Sequence, residues 1–212
     1  VVIGAMTTQA ELLASRELSD LLPIIAETAR QIADPQVRYM GTHGGNVANG
    51  DPGNDMPAVM LCLDAVYRVT GKSGARTVKA RDFYRGPYQT ALVTGELLTA
   101  IEIPLPPAGH GSAYEKLKRK VGDYATAAAA VVLTVSAGRV ATCAISLTNL
   151  ADRPILASNA AAAVVGTPLD TAAIVKAAGA AGAVMSPAAD TRGTVQYRTS
   201  VGGIMVARAL AS

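Results

Sequence analysis

The chain has few residues of the kinds that bind metals or form disulfides. Its two cysteines, Cys62 and Cys143, lie in apolar surroundings without a Cys-x-x-Cys spacing. Such cysteines are typical of buried free thiols in a cytosolic protein, which argues against a disulfide framework. The two histidines, His43 and His110, are not near any Cys, Asp or Glu cluster with ligand spacing, and no Ser-His-Asp arrangement is indicated. We therefore predict no metal ligand and no acid, base or nucleophile.

Long apolar runs and basic blocks are also missing. Half of the 212 residues are hydrophobic, yet no uninterrupted apolar run is long enough to span a bilayer. The formal net charge of +3 is small for this length, and the one concentration of cations lies at residues 116–120. We therefore expect a globular chain with a sizeable core, no membrane span and no nucleic-acid role.

A glycine-rich stretch at residues 41–57 is the most informative part of the sequence. Its glycines, small polar residues and prolines separate an upstream helical pattern from an apolar run at residues 58–65, which predicts a loop. Gly44 and Gly45 can take positive φ angles and approach a ligand closely, so their N–H groups could surround phosphate oxygens. Taken alone, the stretch fits a ligand-binding loop or an ordinary tight turn equally well.

The pattern of elements predicts an α+β chain with a boundary near its middle. Helical patterns dominate up to residue 62, and short strand-like runs follow as far as Pro104. Residues 104–111 are rich in proline and glycine and can form neither a helix interior nor a central strand. Beyond them, strand patterns are followed by alanine-rich helices at residues 157–165, 171–183 and 197–211. This order favours a sheet with helices on one face.

Several motifs, in the same order, resemble the FAD subunits of molybdenum hydroxylases. The first is Thr-x-Gly-Gly-Asn at residues 42–46, followed by Asn-x-Asp-Pro at 49–52 and Asp-x-Pro-Ala at 55–58. Further matching stretches lie at residues 86–92, 95–104 and 114–125, so the resemblance extends over nearly all of the chain. Within the family it is greatest to the medium subunits of aerobic carbon monoxide dehydrogenases.

The resemblance implies a fold and a division of the chain. Residues 1–108 would form an FAD-binding domain of the vanillyl-alcohol-oxidase/PCMH type, and residues 109–212 a C-terminal α+β domain with a small antiparallel sheet and helices. The chain begins with Val1 and has no signal-peptide pattern. In the family, an N-terminal segment with a first Gly-Gly loop for the FAD pyrophosphate precedes this point, so we expect the FAD-binding domain to lack that part.

The resemblance also implies a function without substrate chemistry in this chain. A large subunit carries molybdopterin, a small subunit carries two [2Fe–2S] clusters, and the medium subunit accepts their electrons into FAD. It then delivers them to a quinone or another acceptor. We expect a cytoplasmic complex, peripheral at the membrane if attached to it, and a dimer of heterotrimers.

Ten residues are expected at the FAD by similarity to the family. Lys116 would stabilise the negative charge of reduced flavin, although Glu115 or Lys118 could take that place in another register. Tyr124 would cover one face of the isoalloxazine ring, as in the carbon monoxide dehydrogenase type. The full set is Thr42, His43, Gly44, Gly45, Asn46, Asn49, Asp55, Leu98, Lys116 and Tyr124.

Three alternatives remain open at this stage. The chain could serve a related hydroxylase that oxidises nicotine, a purine or an aldehyde, because the substrate is chosen by another subunit. It could be a flavin-free docking subunit in which the glycine stretch is a structural turn. A self-contained flavoenzyme of the vanillyl-alcohol-oxidase type is disfavoured, because the C-terminal half has no recognisable substrate base or covalent-flavin histidine motif.

Overall fold

A computed structural model describes residues 1–212 as nine α-helices, one short 3-10 helix at Ala80–Asp82 and ten strands. The helices are α1 Gln9–Ala14, α2 Arg16–Leu21, α3 Pro23–Gln31, α4 Pro35–Met40, α5 His43–Ala48, α6 Asp55–Cys62, α7 Ser158–Val164, α8 Thr171–Gly182 and α9 Val195–Ala211. The strands are β1 Val2–Gly4, β2 Val66–Gly71, β3 Gly74–Lys79, β4 Tyr84–Gly86, β5 Gln89–Thr90, β6 Leu97–Glu102, β7 Gly111–Leu117, β8 Ala127–Ser136, β9 Arg139–Thr148 and β10 Ile155–Leu156.

The strands form two four-stranded antiparallel sheets and one small hairpin. The first sheet has the order β1-β6-β2-β3, the second has the order β10-β9-β8-β7, and β4 pairs with β5. All pairings are antiparallel. The predicted α+β class, with a small antiparallel sheet and helices in the second half, is confirmed.

Strand β8 is buried on both faces of the second sheet. Ala128, Ala130 and Val132 belong to one hydrophobic cluster, and the alternate residues Ala127, Ala129 and Val131 belong to the other. Helices α7 and α9 contact the sheet through the second cluster, whereas α3 and α6 contact it through the first. The helices of the second half therefore lie on one face of this sheet, as expected, and helices of the first half cover the other face.

Proline positions divide the helical region near the N-terminus. Helix α2 ends at Leu21, and Pro23 begins α3. Proline suits the first helical position because its missing N–H would have no intrahelical partner there. Pro35 likewise begins α4 behind the N-cap Asp34. Helix α1 begins behind Thr8, with a capping box between Thr8 and Glu11.

The glycine-rich stretch is not a continuous loop. Residues His43–Ala48 form α5, and Thr42 caps it by accepting a hydrogen bond from the Gly45 N–H at 2.9 Å. Neither Gly44 nor Gly45 has a positive φ, so the conformational reason expected for the pair was wrong. Gly44 is needed instead for close packing. A Cβ there would lie 2.5 Å from the Ala5 Cβ and 2.7 Å from the Ala5 carbonyl oxygen.

We expect Gly44→Ala to lower the free energy of unfolding by about 1–3 kcal/mol, the usual cost of overpacking a rigid site. The atoms it would meet belong to Ala5 and its backbone, which cannot rotate away. Gly179→Ala is the matched control, because a Cβ at that position in α8 meets nothing within 4 Å. It should raise stability by about 0.5–1 kcal/mol. Urea unfolding measures both, and equal effects would contradict the packing argument.

Candidate functional site

One cavity brings together residues from both halves of the chain. Its volume is about 300 Å³. Four of the residues expected at the FAD line it, namely Asn46, Asp55, Lys116 and Tyr124. The remaining lining residues are Ile32, Ala33, Val37, Asn54, Gly122 and Asp123. The cavity therefore has an apolar wall formed by the residues after α3 and by α4. Its polar wall is formed by α6, β7 and the segment after β7.

A buried ion pair lies on the polar wall. The Lys116 Nζ donates to the Asp55 Oδ2 at 2.8 Å, and the two side chains are only 1% and 6% exposed. The Tyr114 hydroxyl donates to the other carboxylate oxygen at 2.5 Å. Burial raises the pKa of Asp55, and Lys116 opposes this effect. Burial, followed by the Asp55 charge, raises the pKa of Tyr114 well above its usual value.

Local structure explains why these three groups meet. Asp55 is the first residue of α6, and the N-cap Asn54 makes no side-chain hydrogen bond to the N–H groups of that helix. Tyr114 and Lys116 are two residues apart on β7, so they lie on the same face of the strand. Lys116 and Lys118 also donate to the Gln31 carbonyl, at 3.4 and 3.3 Å. Glu115 does not line the cavity.

Hydrogen bonds fix the turn between α5 and α6. The Asn46 side-chain oxygen accepts from the Met56 N–H at 3.3 Å, and the Asn54 side chain donates to the Asn46 carbonyl at 2.8 Å. The Asp51 carboxylate accepts from the Gly53 N–H at 2.8 Å and from the Tyr88 hydroxyl at 3.0 Å. This turn places Asn46 and Asn54 at the cavity surface.

Tyr124 stands at the edge of the cavity, half exposed. Its ring lies against Gly53, where a Cβ would come within 2.8 Å of the Tyr124 Cδ1. The Arg192 guanidinium lies over the same ring, 5.8 Å from its centroid. Burial raises the pKa of Tyr124, with smaller contributions from the Asp51 and Asp55 charges. Tyr124 can thus offer an aromatic face to a planar ligand.

The N–H groups of α5 are not arranged as the sequence suggested. The His43 N–H donates to the Thr7 carbonyl at 2.7 Å, and the Gly44 N–H donates to the Ala5 carbonyl at 2.8 Å. The Gly45 N–H is taken by Thr42, as described above. These groups hold α5 against the segment after β1, so the expected cradle of free N–H groups was wrong. That Thr42, His43, Gly44 and Gly45 contact FAD stays a prediction.

His43 has an unusual environment. Its side chain is fully buried, and neither ring nitrogen has a hydrogen-bonding partner within the protein. Burial lowers its pKa from 6.5 to about 4, so the ring is neutral at physiological pH. A contact between His43 and a ligand would have to use the backbone.

Asn49 and Leu98 lie outside the cavity. Asn49 is the exposed C-cap of α5, and its N–H donates to the Gly45 carbonyl at 3.1 Å. Leu98 is half-buried on β6 and packs against the first hydrophobic cluster. Helix α5 contacts β6, so both residues lie near that helix. Their proposed contacts with FAD stay predictions.

Several residues at the site were missed by the sequence argument. Tyr114, Asn54 and Asp123 were not singled out, and neither was Arg192, which is 68 positions from Tyr124 in the sequence. The alternation along β7 could have indicated Tyr114 once Lys116 was chosen. No local pattern indicates Arg192, because its partner lies in a distant segment.

Metal ligands and membrane-spanning helices were not expected from the sequence. No group of three or more His, Cys, Asp or Glu residues could hold a metal ion. No helix has the length and apolar character needed to cross a membrane. Cys62 is buried and free, as expected, but Cys143 is only half-buried. His110 is half-buried, and its Nδ1 lies 3.2 Å from the Pro107 carbonyl oxygen.

Two protein families match consecutive parts of the chain. Residues 1–106 match the family described as FAD binding domain in molybdopterin dehydrogenase. Residues 112–212 match the family described as CO dehydrogenase flavoprotein C-terminal domain. Together these matches cover nearly the whole chain, and they confirm the prediction of FAD as the cofactor.

Individual relatives agree with the family matches. The carbon monoxide dehydrogenase medium chain of Afipia carboxidovorans is 61% identical over 210 residues, which are 99% of this chain and 73% of that protein. The medium chain of Hydrogenophaga pseudoflava is 44% identical over the same shares.

Solved structures extend the comparison to the fold. The reconstituted CO dehydrogenase from Oligotropha carboxidovorans matches with a TM-score of 0.98 and 60% identity, covering 99% of this chain and 73% of that chain. Quinoline 2-oxidoreductase from Pseudomonas putida 86 matches with a TM-score of 0.94 at 31% identity, over the same shares. The chain therefore belongs to the FAD-binding subunits of the molybdenum hydroxylases, a family of oxidoreductase components.

Proposed function

We propose that this chain is the medium subunit of a carbon monoxide dehydrogenase and that the isoalloxazine end of its FAD occupies the cavity at Asp55, Lys116 and Tyr124. The two relatives named as medium chains of that enzyme support the substrate, because they are 61% and 44% identical over 99% of the chain. The 6-hydroxypseudooxynicotine dehydrogenase complex subunit alpha of Paenarthrobacter nicotinovorans matches the full length of the chain but is only 32% identical. Carbon monoxide is therefore favoured over the other substrates of the family.

The observation that carries this proposal is the meeting of four separately expected residues around one cavity. Asn46 and Asp55 come from the first half of the chain, whereas Lys116 and Tyr124 come from the second. Ile32 and Val37 supply an apolar wall, and the Tyr124 ring supplies an aromatic edge. This mixture suits a planar aromatic group with polar edges.

The chemistry of the buried pair suits a flavin. Bound flavin links one-electron and two-electron partners, and the surrounding protein sets its orientation and potential. The Lys116 cation is buried, so it can stabilise negative charge at a ligand edge more strongly than an exposed lysine could. Asp55 holds that cation in place, and Tyr114 holds Asp55. No residue of this chain acts as acid, base or nucleophile in the proposal.

The chain would act within a larger assembly. We propose that it receives electrons from the [2Fe–2S] clusters of a small subunit, while a large molybdopterin subunit oxidises the substrate. A quinone or another acceptor would then take the electrons from FAD. The relatives are named medium chains, which supports a complex of several subunits. A dimer of heterotrimers in the cytoplasm is the arrangement we expect.

We also propose that residues 1–108 and 109–212 are two domains with a shared core. The family matches end and begin at residues 106 and 112, and this supports the boundary. The first hydrophobic cluster contains residues from both sides of it, such as Tyr67 and Tyr114. The two units should therefore unfold together rather than separately.

Gly53→Val tests the placement of the flavin. The added side chain would meet the Tyr124 ring, which is half exposed and can swing away at little cost to folding. Losing the aromatic cover should weaken FAD binding by about tenfold, the upper end of what one aromatic contact provides. Titration of the purified protein with FAD, followed by flavin fluorescence, measures the change.

Gly179→Val is the control, since a Cβ there meets nothing within 4 Å and Gly179 does not line the cavity. It should bind FAD as the unchanged protein does. A purified protein without flavin absorbance and without affinity for FAD would support the flavin-free docking subunit instead. Normal FAD binding by Gly53→Val would contradict the assigned position of the ring.

A further inference from the structure

A series of ion pairs links the edge of the cavity to the C-terminal half of the protein. Asp123, next to Tyr124, pairs with Arg119 at 2.8 Å and with Arg192 at 3.6 Å. Arg192 also pairs with Asp190 at 2.9 Å. The Arg192 guanidinium is thus held between two carboxylates while it lies over the Tyr124 ring.

Arg198 holds the last carboxylate of this series of ion pairs, that of Asp190. Asp190 lies 3.5 Å from the guanidinium of Arg198, which is fully buried in α9. Arg198 donates to the carbonyls of Thr126 and Ala188, at 3.2 and 2.6 Å, and to the carbonyl of Asn149. Arg198 therefore fixes the segment that carries Arg192 against β8 and β9.

Tyr124 itself has few fixed contacts. It is 45% exposed, and its hydroxyl makes no hydrogen bond within the protein. Its backbone N–H donates to the Asp123 Oδ1 at 2.8 Å. The contacts that orient the ring are therefore Gly53 beneath the Cδ1 edge and the Arg192 guanidinium.

We propose that Arg192 is a positioning residue that holds the Tyr124 ring at the edge of the cavity and thereby sets how tightly FAD is bound. This inference rests on the proposed function. Arg192 acts in two ways, as a cation over the ring and as an ionic partner of Asp123. Arg198 holds the segment that carries Arg192 against the second hydrophobic cluster, so the position of the Tyr124 ring depends on the packing of the second half.

The effect of Arg192 on the Tyr124 ring can be separated from the effect of Arg119 on Asp123. Arg119 binds Asp123 with the shorter ionic contact and is the main reason why the pKa of Asp123 lies below its usual value. Removing Arg192 therefore leaves Asp123 paired and the backbone of residue 123 held. What is lost is the cation over the Tyr124 ring, together with the ionic contacts of Arg192 to Asp123 and Asp190. Asp190 keeps its contact with Arg198.

The experiment is a double-mutant cycle between Arg192→Gln and Tyr124→Leu in the full chain. Arg192→Gln should raise the dissociation constant of FAD about three- to tenfold, the range expected for a partly shielded cation–π contact. In the Tyr124→Leu background the same substitution should change it by less than about twofold. Arg192→Lys should recover part of the affinity, because it restores the charge without the planar group.

A second measurement reports the ring directly without FAD. The chain has seven tyrosines, so ¹³C labelling of tyrosine gives a small set of ring signals, and Tyr124→Phe identifies the one from Tyr124. Arg192→Gln should shift that signal and leave the signal of the exposed Tyr39 unchanged. Arg208→Gln is the matched control, since Arg208 lies exposed in α9 without an ion pair.

The outcomes separate the inference from the function on which it rests. A protein that never binds FAD overturns both together. If FAD binds normally to the unchanged protein and Arg192→Gln weakens it equally in both backgrounds, Arg192 does not act through Tyr124 and the inference alone is wrong. If the Tyr124 ring signal does not shift in Arg192→Gln, Arg192 does not hold the ring and the inference alone is again wrong.

Discussion

Asp55→Asn will lower the free energy of unfolding by about 3–5 kcal/mol, the usual cost of leaving one member of a buried ion pair without its partner. The Lys116 side chain is 1% exposed, so water cannot replace the lost carboxylate charge. Tyr114 can still donate to the remaining amide oxygen, so the effect comes from the uncompensated cation. Chemical denaturation with two optical probes measures this change.

The same substitution will also weaken FAD binding, by about tenfold or more, because Lys116 loses the group that orients it. The double variant Asp55→Asn with Lys116→Met separates the two effects. It removes the buried charge altogether, so more than half of the lost stability should return. FAD affinity should stay low, because no cation faces the cavity.

Two results would contradict this account. If Asp55→Asn alone is as stable as the unchanged protein, the pair is not the buried one described by the 2.8 Å contact and its low exposure. If the double variant binds FAD normally, the cation is not part of the flavin site, whatever its effect on folding. Arg68→Gln is a suitable control, because Arg68 pairs with Glu102 at the exposed surface and such pairs contribute little.

The sequence predicted the helices of the C-terminal half well. The alanine-rich stretches at residues 157–165, 171–183 and 197–211 form α7, α8 and α9, each within two residues of the expected bounds. The start of β8 consists of four alanines, although alanine favours helices over strands. Burial on both faces by two hydrophobic clusters decides the conformation there, and a single sequence does not contain that information.

The candidate site was predicted in part for a similar reason. Motif resemblance indicated Asp55, Lys116 and Tyr124, and the structure brings them around one cavity. The physical reason expected for Gly44 was wrong, since the residue allows packing against Ala5 rather than a positive φ. Arg192 could not be found, because a cation–π contact between distant segments leaves no periodic or local signal.

His43→Leu will make the protein more stable and less sensitive to acid. Both ring nitrogens are buried without a partner, and each such group costs free energy in the folded state. Leucine fills a similar space without polar atoms, so the free energy of unfolding at pH 7 should rise by about 1–3 kcal/mol. Equilibrium unfolding in urea measures the difference.

The pH dependence follows from the lowered pKa of His43, which is about 4 in the folded protein against 6.5 for an exposed histidine. Between these values the unfolded chain binds the proton and the folded protein does not. Stability therefore falls as the pH drops from about 6.5 to about 4, and the gap corresponds to about 3 kcal/mol. Above pH 6.5 neither state is protonated at this residue, so His43 adds no further slope.

His43→Leu should remove that loss, so its advantage over the unchanged protein should grow as the pH falls through this window. His110→Gln is the control, because His110 is the only other histidine and its Nδ1 contacts the Pro107 carbonyl. It should leave the slope in place. Since the His43 ring does not line the cavity, FAD affinity at pH 7 should be unchanged. If the advantage of His43→Leu is the same at pH 7 and pH 4.5, the ring is not held neutral by burial.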